Sequence, residues 1–103
     1  MEIRESHGFT RQVDAALTPE DYRALQLHLV GRPDAGMVIP GSGGLRKLRW
    51  AATGRGKRGG ARVIYYWYVE ASRIYLLLLY AKNERDDLSP EQKRTLKRLV
   101  AED

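Results

Sequence analysis

The chain has 103 residues, of which 43% are hydrophobic and 9% aromatic, and its 18 basic and 13 acidic residues give a net charge of +5. This length and composition predict one domain over residues 1–103 with a modest core, and they exclude a disordered chain. The absence of cysteine excludes disulfides and thiolate metal sites. The longest apolar run, residues 74–81, is too short to cross a bilayer, so we expect a cytoplasmic protein with no membrane partner.

The first part of the chain predicts an edge strand and a helical hairpin. Residues 1–5 fit a short strand, and apolar residues then recur at helical spacing over residues 9–17. A Thr-Pro-Glu-Asp start signal and a Gly-Arg-Pro end signal bound a second helix over residues 18–31. Residues 34–44 are rich in glycine and proline, which predicts a connection with a small apolar anchor at Met37-Val38-Ile39.

The rest of the chain predicts three strands and a last helix. A strand is predicted over residues 45–51, because residues 47–50 alternate between cationic and apolar. Residues 62–69 are rich in β-branched and aromatic residues, and residues 74–80 are almost continuously apolar. We expect the last strand to be central, because it is apolar on both faces. A serine cap and a first-turn proline start a helix at Ser89. The order β-α-α-β-β-β-α predicts an α+β fold with a curved, mainly antiparallel sheet.

A glycine-spaced basic stretch between two of these strands, residues 54–62, predicts a polyanionic partner. No acid lies between Asp34 and Glu70, and the rest of the chain carries 11 basic and 13 acidic residues. A local surplus of cations focuses a field that attracts phosphates, whereas a solvated basic loop is the alternative interpretation. The cations of this gap are Arg46, Lys47, Arg49, Arg55, Lys57, Arg58 and Arg62.

RNA cleavage without a metal needs a base for the 2′-hydroxyl, cations for the crowded phosphate and an acid for the departing 5′-oxygen. Arg62 begins a strand, so it is the cation best held to bind the scissile phosphate, whereas Lys57 and Arg58 at the loop tip suit backbone contacts. The candidates for proton transfer are Lys82, Glu84, Tyr66 and Tyr80. Lys82 and Glu84 follow the predicted central strand, although a charged turn before the last helix is the alternative.

Two further sets of side chains have alternative roles. Tyr80 and Lys82 are two residues apart on the last strand, so their side chains are expected on the same face of the sheet. In one of the two possible orientations of that strand, this is also the face of Lys47 and Arg49. The aromatic residues of the last two strands have faces for stacking bases, but packing in the core is favoured for Tyr65 and Trp67. His7 and His28 have no partner at ligand spacing, so we expect surface or packing roles and no metal site.

Three segments, residues 45–50, 54–66 and 80–89, together resemble the RelE/HigB toxins of bacterial type II toxin–antitoxin systems, and HigB is the more similar branch. The agreement in element order extends the resemblance over nearly the whole chain. It implies the compact microbial RNase-like fold of the RelE/ParE superfamily and an mRNA interferase, an endoribonuclease that cuts mRNA on the ribosome without a cofactor. It also implies a helix-turn-helix antitoxin that covers the toxin.

The resemblance assigns roles to individual residues. Lys47 and Arg49 match basic strand residues of the RelE site, Arg62 matches the arginine that holds the phosphate, and Arg85 lies near the family's C-terminal arginine. A tyrosine that some members place beyond that arginine is replaced by residues 87–89, Asp-Leu-Ser, which leaves the general base open. The expected catalytic set is Arg62, Lys82, Glu84, Arg85, Lys47 and Arg49, and the expected RNA-binding set is Arg46, Arg55, Lys57, Arg58, Tyr66 and Tyr80.

Two other functions remain open at this point. The related ParE toxins share the fold but inhibit DNA gyrase, and a nucleic-acid-binding module without catalysis would carry a similar basic surface. The cations on the strands, Lys47, Arg49 and Arg62, favour RNA cleavage over gyrase inhibition.

Overall fold

A computed structural model describes residues 1–51, 60–81 and 87–102 of the chain. Over these ranges the protein has the predicted α+β architecture, with three helices on a five-stranded mixed sheet that is curved and open. None of these helices is long and apolar enough to cross a membrane. The elements are β1 (Glu2–Glu5), α1 (His7–Ala16), α2 (Pro19–Gly31), β2 (Met37–Val38), β3 (Arg46–Trp50), β4 (Ala61–Tyr68), β5 (Arg73–Ala81) and α3 (Pro90–Glu102).

The sheet has the strand order β1-β5-β4-β3-β2. All neighbouring strands are antiparallel except β1 and β5, which are parallel. β1 is at one edge, as predicted. β5 lies inside the sheet, as its apolar sequence indicates, although β4 is the middle strand.

The short strand β2 is absent from the predicted order of elements. It pairs with β3 through two residues, Met37 and Val38, whose exposed fractions are 79% and 52%. The prediction that this apolar triplet anchors the connection is therefore correct only for Ile39, which packs against the core. Two exposed residues at a sheet edge give no alternation by which a strand could be recognised.

The starts of α2 and α3 follow the predicted signals, and α1 starts with a cap of the same kind, for which no signal was predicted. The Ser6 hydroxyl accepts a hydrogen bond from the Phe9 amide at 3.0 Å, and the Thr18 hydroxyl accepts one from the Asp21 amide at 3.0 Å. At α3 the Ser89 hydroxyl accepts from the Gln92 amide at 3.1 Å, while the Gln92 side chain accepts from the Ser89 amide at 2.9 Å. This reciprocal pair is a capping box, which satisfies two amides that the first turn leaves without helical partners.

The sheet separates two hydrophobic clusters. One lies between the sheet and helices α1 and α2, and it includes Phe9, Val13, Leu25, Leu29, Leu48, Val63, Tyr65, Ile74 and Leu76. The other lies under α3 and includes Leu45, Ile64, Leu77, Tyr80, Leu88 and Leu96. We call these two sides of the sheet the α1/α2 face and the α3 face.

A bulge between β4 and β5 determines which side chains of β5 reach each face. Ile64 pairs with Leu78 but the next residue, Tyr65, pairs with Leu76, so Leu77 is an extra residue. An extra residue shifts the alternation of side chains by one position. As a result Tyr80 joins the cluster on the α3 face, while Leu76 packs on the α1/α2 face.

Tyr65 fixes the connection before β2 to the middle of the sheet. Its fully buried hydroxyl donates to the Pro33 carbonyl at 2.7 Å and accepts from the Gly36 amide at 2.8 Å. Burial raises the pKa of this phenol. A Cβ on Gly36 would lie 2.8 Å from the ring, so the connection approaches Tyr65 at a distance that favours glycine.

Tyr65→Phe should lower the free energy of unfolding by about 1–3 kcal/mol, because an amide and a carbonyl would lose their partner in a buried position. Urea denaturation would measure this change. Tyr66→Phe, one position along the same strand in a half-buried site, is the matched control and should change stability by less. Equal stability of the Tyr65→Phe variant and the wild type would contradict the role of the hydroxyl.

Candidate functional site

The strand register places three cations together on the α3 face. Arg49 of β3 lies directly opposite Arg62 of β4, and Arg62 lies opposite Tyr80 of β5. Directly paired residues share one face of a sheet, and so do residues two apart on one strand. Lys47, opposite Ile64, is therefore on the same face as Arg49. We call Lys47, Arg49 and Arg62 the strand cations.

The strand cations differ in their access to solvent. Arg49 is exposed and Lys47 is half-buried, whereas Arg62 is 4% exposed. Like charges directly opposite each other destabilise a sheet, and burial of a guanidinium adds a desolvation cost. A local arrangement that costs stability in this way is typical of a functional site.

An acidic side chain reaches the same surface from the residues just before α3. The Asp87 carboxylate accepts from the Lys47 ammonium group at 3.0 Å, and the exposed fractions of the two side chains are 84% for Asp87 and 31% for Lys47. In the sequence, Asp87 is only part of the charged turn before the last helix and of the departure from the family pattern. Its nearness to the Ser89 cap indicates a position at the helix entrance, but no sequence signal shows which strand it reaches.

The comparison with known families agrees with this arrangement. A family model described as the RelE toxin of the RelE/RelB toxin–antitoxin system matches residues 24–102. The chain belongs to the RelE toxin family. The matched range begins within α2 and continues through β2, β3, β4, β5 and α3, so it includes all the strand cations. As a RelE-family toxin the protein is one component of a toxin–antitoxin pair, and its partner in that pair is an antitoxin.

Three of the residues predicted to bind RNA do not lie on the exposed part of the α3 face that carries the strand cations. Arg46 is on the α1/α2 face, where its guanidinium donates to the Gly36 carbonyl at 2.8 Å. Tyr66 is on the α3 face but four residues along β4 from Arg62, roughly 13 Å away, and its ring packs against Tyr68 at a centroid distance of 4.7 Å. Tyr80 neighbours Arg62 but is 4% exposed and belongs to the cluster under α3.

Six other predicted residues of the toxin lie outside the described residues. The pairing of Trp50 with Ala61 shows that β3 and β4 form an antiparallel hairpin, as predicted from the position of the basic stretch. The assignments to these six residues stay predictions. They are Arg55, Lys57 and Arg58 of the basic stretch, and Lys82, Glu84 and Arg85 after β5.

The two histidines of the toxin are on the other side of the sheet, in the roles expected for them. His7 is the first residue of α1 and is exposed, and the His28 ring on α2 packs against Trp50 at a centroid distance of 5.4 Å. Within residues 1–51, 60–81 and 87–102, no group of three or more His, Cys, Asp or Glu side chains is arranged to hold a metal ion.

Proposed function

We propose that this RelE-family toxin is a ribosome-dependent mRNA endoribonuclease, which inhibits translation by cleaving mRNA through the 2′-hydroxyl without a metal. The observation that supports this proposal is the direct opposition of Arg49 and Arg62 across β3 and β4, with Lys47 on the same face. Two neighbouring guanidinium groups and an ammonium group concentrate positive charge on this face, and such a field attracts anions. A backbone phosphate is such an anion, and its oxygens match the donor geometry of arginine.

The three strand cations would act at different stages of the reaction. Arg49 is exposed, so it is the guanidinium that an approaching phosphate meets first. Arg62 is buried on the middle strand, where weak hydration strengthens its effect on a neighbouring charge. Attack by the 2′-oxygen adds negative charge to the phosphate, and fixed cations stabilise that charge without reorganising. Lys47 would hold the adjoining backbone.

Proton transfer in this proposal falls to the segment that follows β5. Lys82 and Glu84 are the candidates for acid and base, with Arg85 as a further cation. This segment begins directly after Ala81, one residue beyond the Tyr80 that lies opposite Arg62. Its groups would therefore enter beside the phosphate. The ribosome would supply the remaining orientation by holding the mRNA in an extended form.

The ribosome-dependent reaction predicts a specific product. Purified toxin should cut a defined mRNA when translating ribosomes are present and leave it intact when they are absent. Each upstream fragment should end in a 2′,3′-cyclic phosphate, which follows from attack by the 2′-oxygen. Sequencing of fragment ends would map the cuts, and an mRNA carrying a 2′-deoxynucleotide at a mapped position should resist cleavage there.

Two other functions would give different results in the same system. A gyrase inhibitor related to ParE would leave mRNA intact and produce DNA breaks in cells that express the toxin. A nucleic-acid-binding module without catalysis would retain mRNA on a filter and release no fragments. The strand cations favour cleavage, because a protein-directed inhibitor needs no set of guanidinium groups arranged for one phosphate.

We also propose that the antitoxin is a small helix-turn-helix protein encoded beside the toxin. The net charge of +5 and the strand cations favour an acidic segment of that antitoxin over this face. Co-expression should restore growth, and a complex that leaves Arg49 accessible to solvent would contradict this placement.

A further inference from the structure

The ion pair between Lys47 and Asp87 joins the strand cations to the entrance of α3. The ammonium nitrogen of Lys47 and a carboxylate oxygen of Asp87 are 3.0 Å apart. Lys47 projects from β3 on the same face as Arg49, so the carboxylate contacts one of the groups suited to phosphate oxygens. A carboxylate oxygen at this distance from an ammonium group occupies a direction from which a phosphate oxygen would bind.

The two residues that follow Asp87 hold the end of its backbone in place. Leu88 is 7% exposed and belongs to the cluster under α3, and Ser89 forms the capping box with Gln92. The Asp87 side chain itself is 84% exposed. The fold therefore fixes the backbone position of Asp87, while its exposed carboxylate can turn into solvent without disturbing the core.

The exchange of this carboxylate for a phosphate is energetically easy. Exposed ion pairs shift an equilibrium by at most about fivefold, because water solvates both groups well and two side chains must be held in one geometry. A strand of RNA presents several phosphates at once and releases condensed counterions when a lysine replaces them. RNA can therefore displace the Asp87 carboxylate, but it must first overcome the ion pair.

We propose that the Asp87 carboxylate is an internal counter-anion of Lys47 that an RNA phosphate displaces when RNA binds. This inference rests on the proposed function, since it takes RNA as the ligand of the strand cations. Asp87 thereby weakens the binding of RNA that reaches Lys47 alone. RNA that engages all the strand cations at once binds in spite of it. Asp87 acts through Lys47 and determines how selective the surface is for correctly placed RNA.

The proposal predicts how Asp87→Asn changes affinity. With a fluorescent 2′-O-methyl RNA of twelve nucleotides, which cannot be cut through the 2′-hydroxyl, the variant should bind about twofold to fivefold more tightly at low salt. This gain in affinity should shrink as the salt concentration rises, because salt screens the ion pair that RNA must break in the wild type. Fluorescence anisotropy over a series of salt concentrations measures both quantities.

Two comparisons separate the ion pair from the general effect of charge. Asp14→Asn removes an equally charged, exposed side chain on α1, which packs on the α1/α2 face, and it should change affinity by less than twofold. In a Lys47→Ala background, Asp87→Asn should no longer change the salt dependence. If Asp87→Asn leaves affinity unchanged, weakens it, or tightens it equally in both backgrounds, the inference is overturned. If the wild type does not bind this RNA, the inference is overturned, whereas the proposed function is tested separately by cleavage of mRNA on ribosomes.

Discussion

Arg62→Ala should abolish growth inhibition and reduce ribosome-dependent cleavage about 10²–10³-fold, which is the usual effect of removing one fixed donor from a developing anionic charge. Arg62 is on the middle strand, opposite both Arg49 and Tyr80, so its backbone has little freedom to move. Loss of the guanidinium leaves a gap that Arg49 cannot fill from the neighbouring strand. Cleavage rates on programmed ribosomes and colony counts after induction would measure the two effects.

The burial of Arg62 makes a test of folding essential. Arg62 is 4% exposed. Thermal unfolding and circular dichroism of the alanine variant must therefore show a folded protein before activity is compared. Arg62→Lys keeps the charge but loses the planar fork, and we expect intermediate activity from it. Arg23→Ala removes an exposed arginine from α2, on the other side of the sheet, and should remain fully toxic. A folded Arg62→Ala protein with wild-type toxicity would refute the proposed role of Arg62.

The elements of the fold could be predicted where local chemistry decides the structure. Serine or threonine caps at Ser6, Thr18 and Ser89 satisfy amides within three residues, so the starts of α2 and α3 are visible in the sequence. The sequence of β4 is rich in β-branched and aromatic residues and that of β5 is apolar on both faces, which are also local properties. By contrast, β2 exists through its pairing with β3, and its two exposed residues carry no periodic signal.

The arrangement of the site depended on contacts between distant segments. The sequence leaves open which face of the sheet Tyr80 occupies, and the bulge at Leu77 determines that it faces α3. Alternation along β3 separates Arg46 from Lys47 and Arg49 whichever face is buried. The register then shows that Arg46 lies opposite Tyr65, on the α1/α2 face. The contact of Asp87 with Lys47 spans 40 positions, and no local rule predicts it.

Gly60→Ala should lower the free energy of unfolding by about 2–4 kcal/mol, from the cost of a left-handed alanine together with overpacking. Gly60 has a φ of +63°, and a Cβ there would lie 2.4 Å from the carbonyl oxygen of Trp50. The obstacle is backbone, so no side chain can rotate away to relieve it. Because Trp50 pairs with Ala61, the β3–β4 hairpin must open or shift next to Arg62.

Gly31→Ala is the matched control, since it is the same substitution at the last residue of α2 with no atom within 4 Å of the new Cβ. It should be neutral or stabilising, because alanine favours a helix by up to about 1 kcal/mol over glycine. Chemical denaturation of the two variants should thus give changes of opposite sign or very different size. Equal stability of Gly60→Ala and the wild type would mean that the hairpin tolerates a side chain there. In that case the backbone before Arg62 would be free to shift, and Arg62 would not be fixed in the way that its role at the phosphate requires.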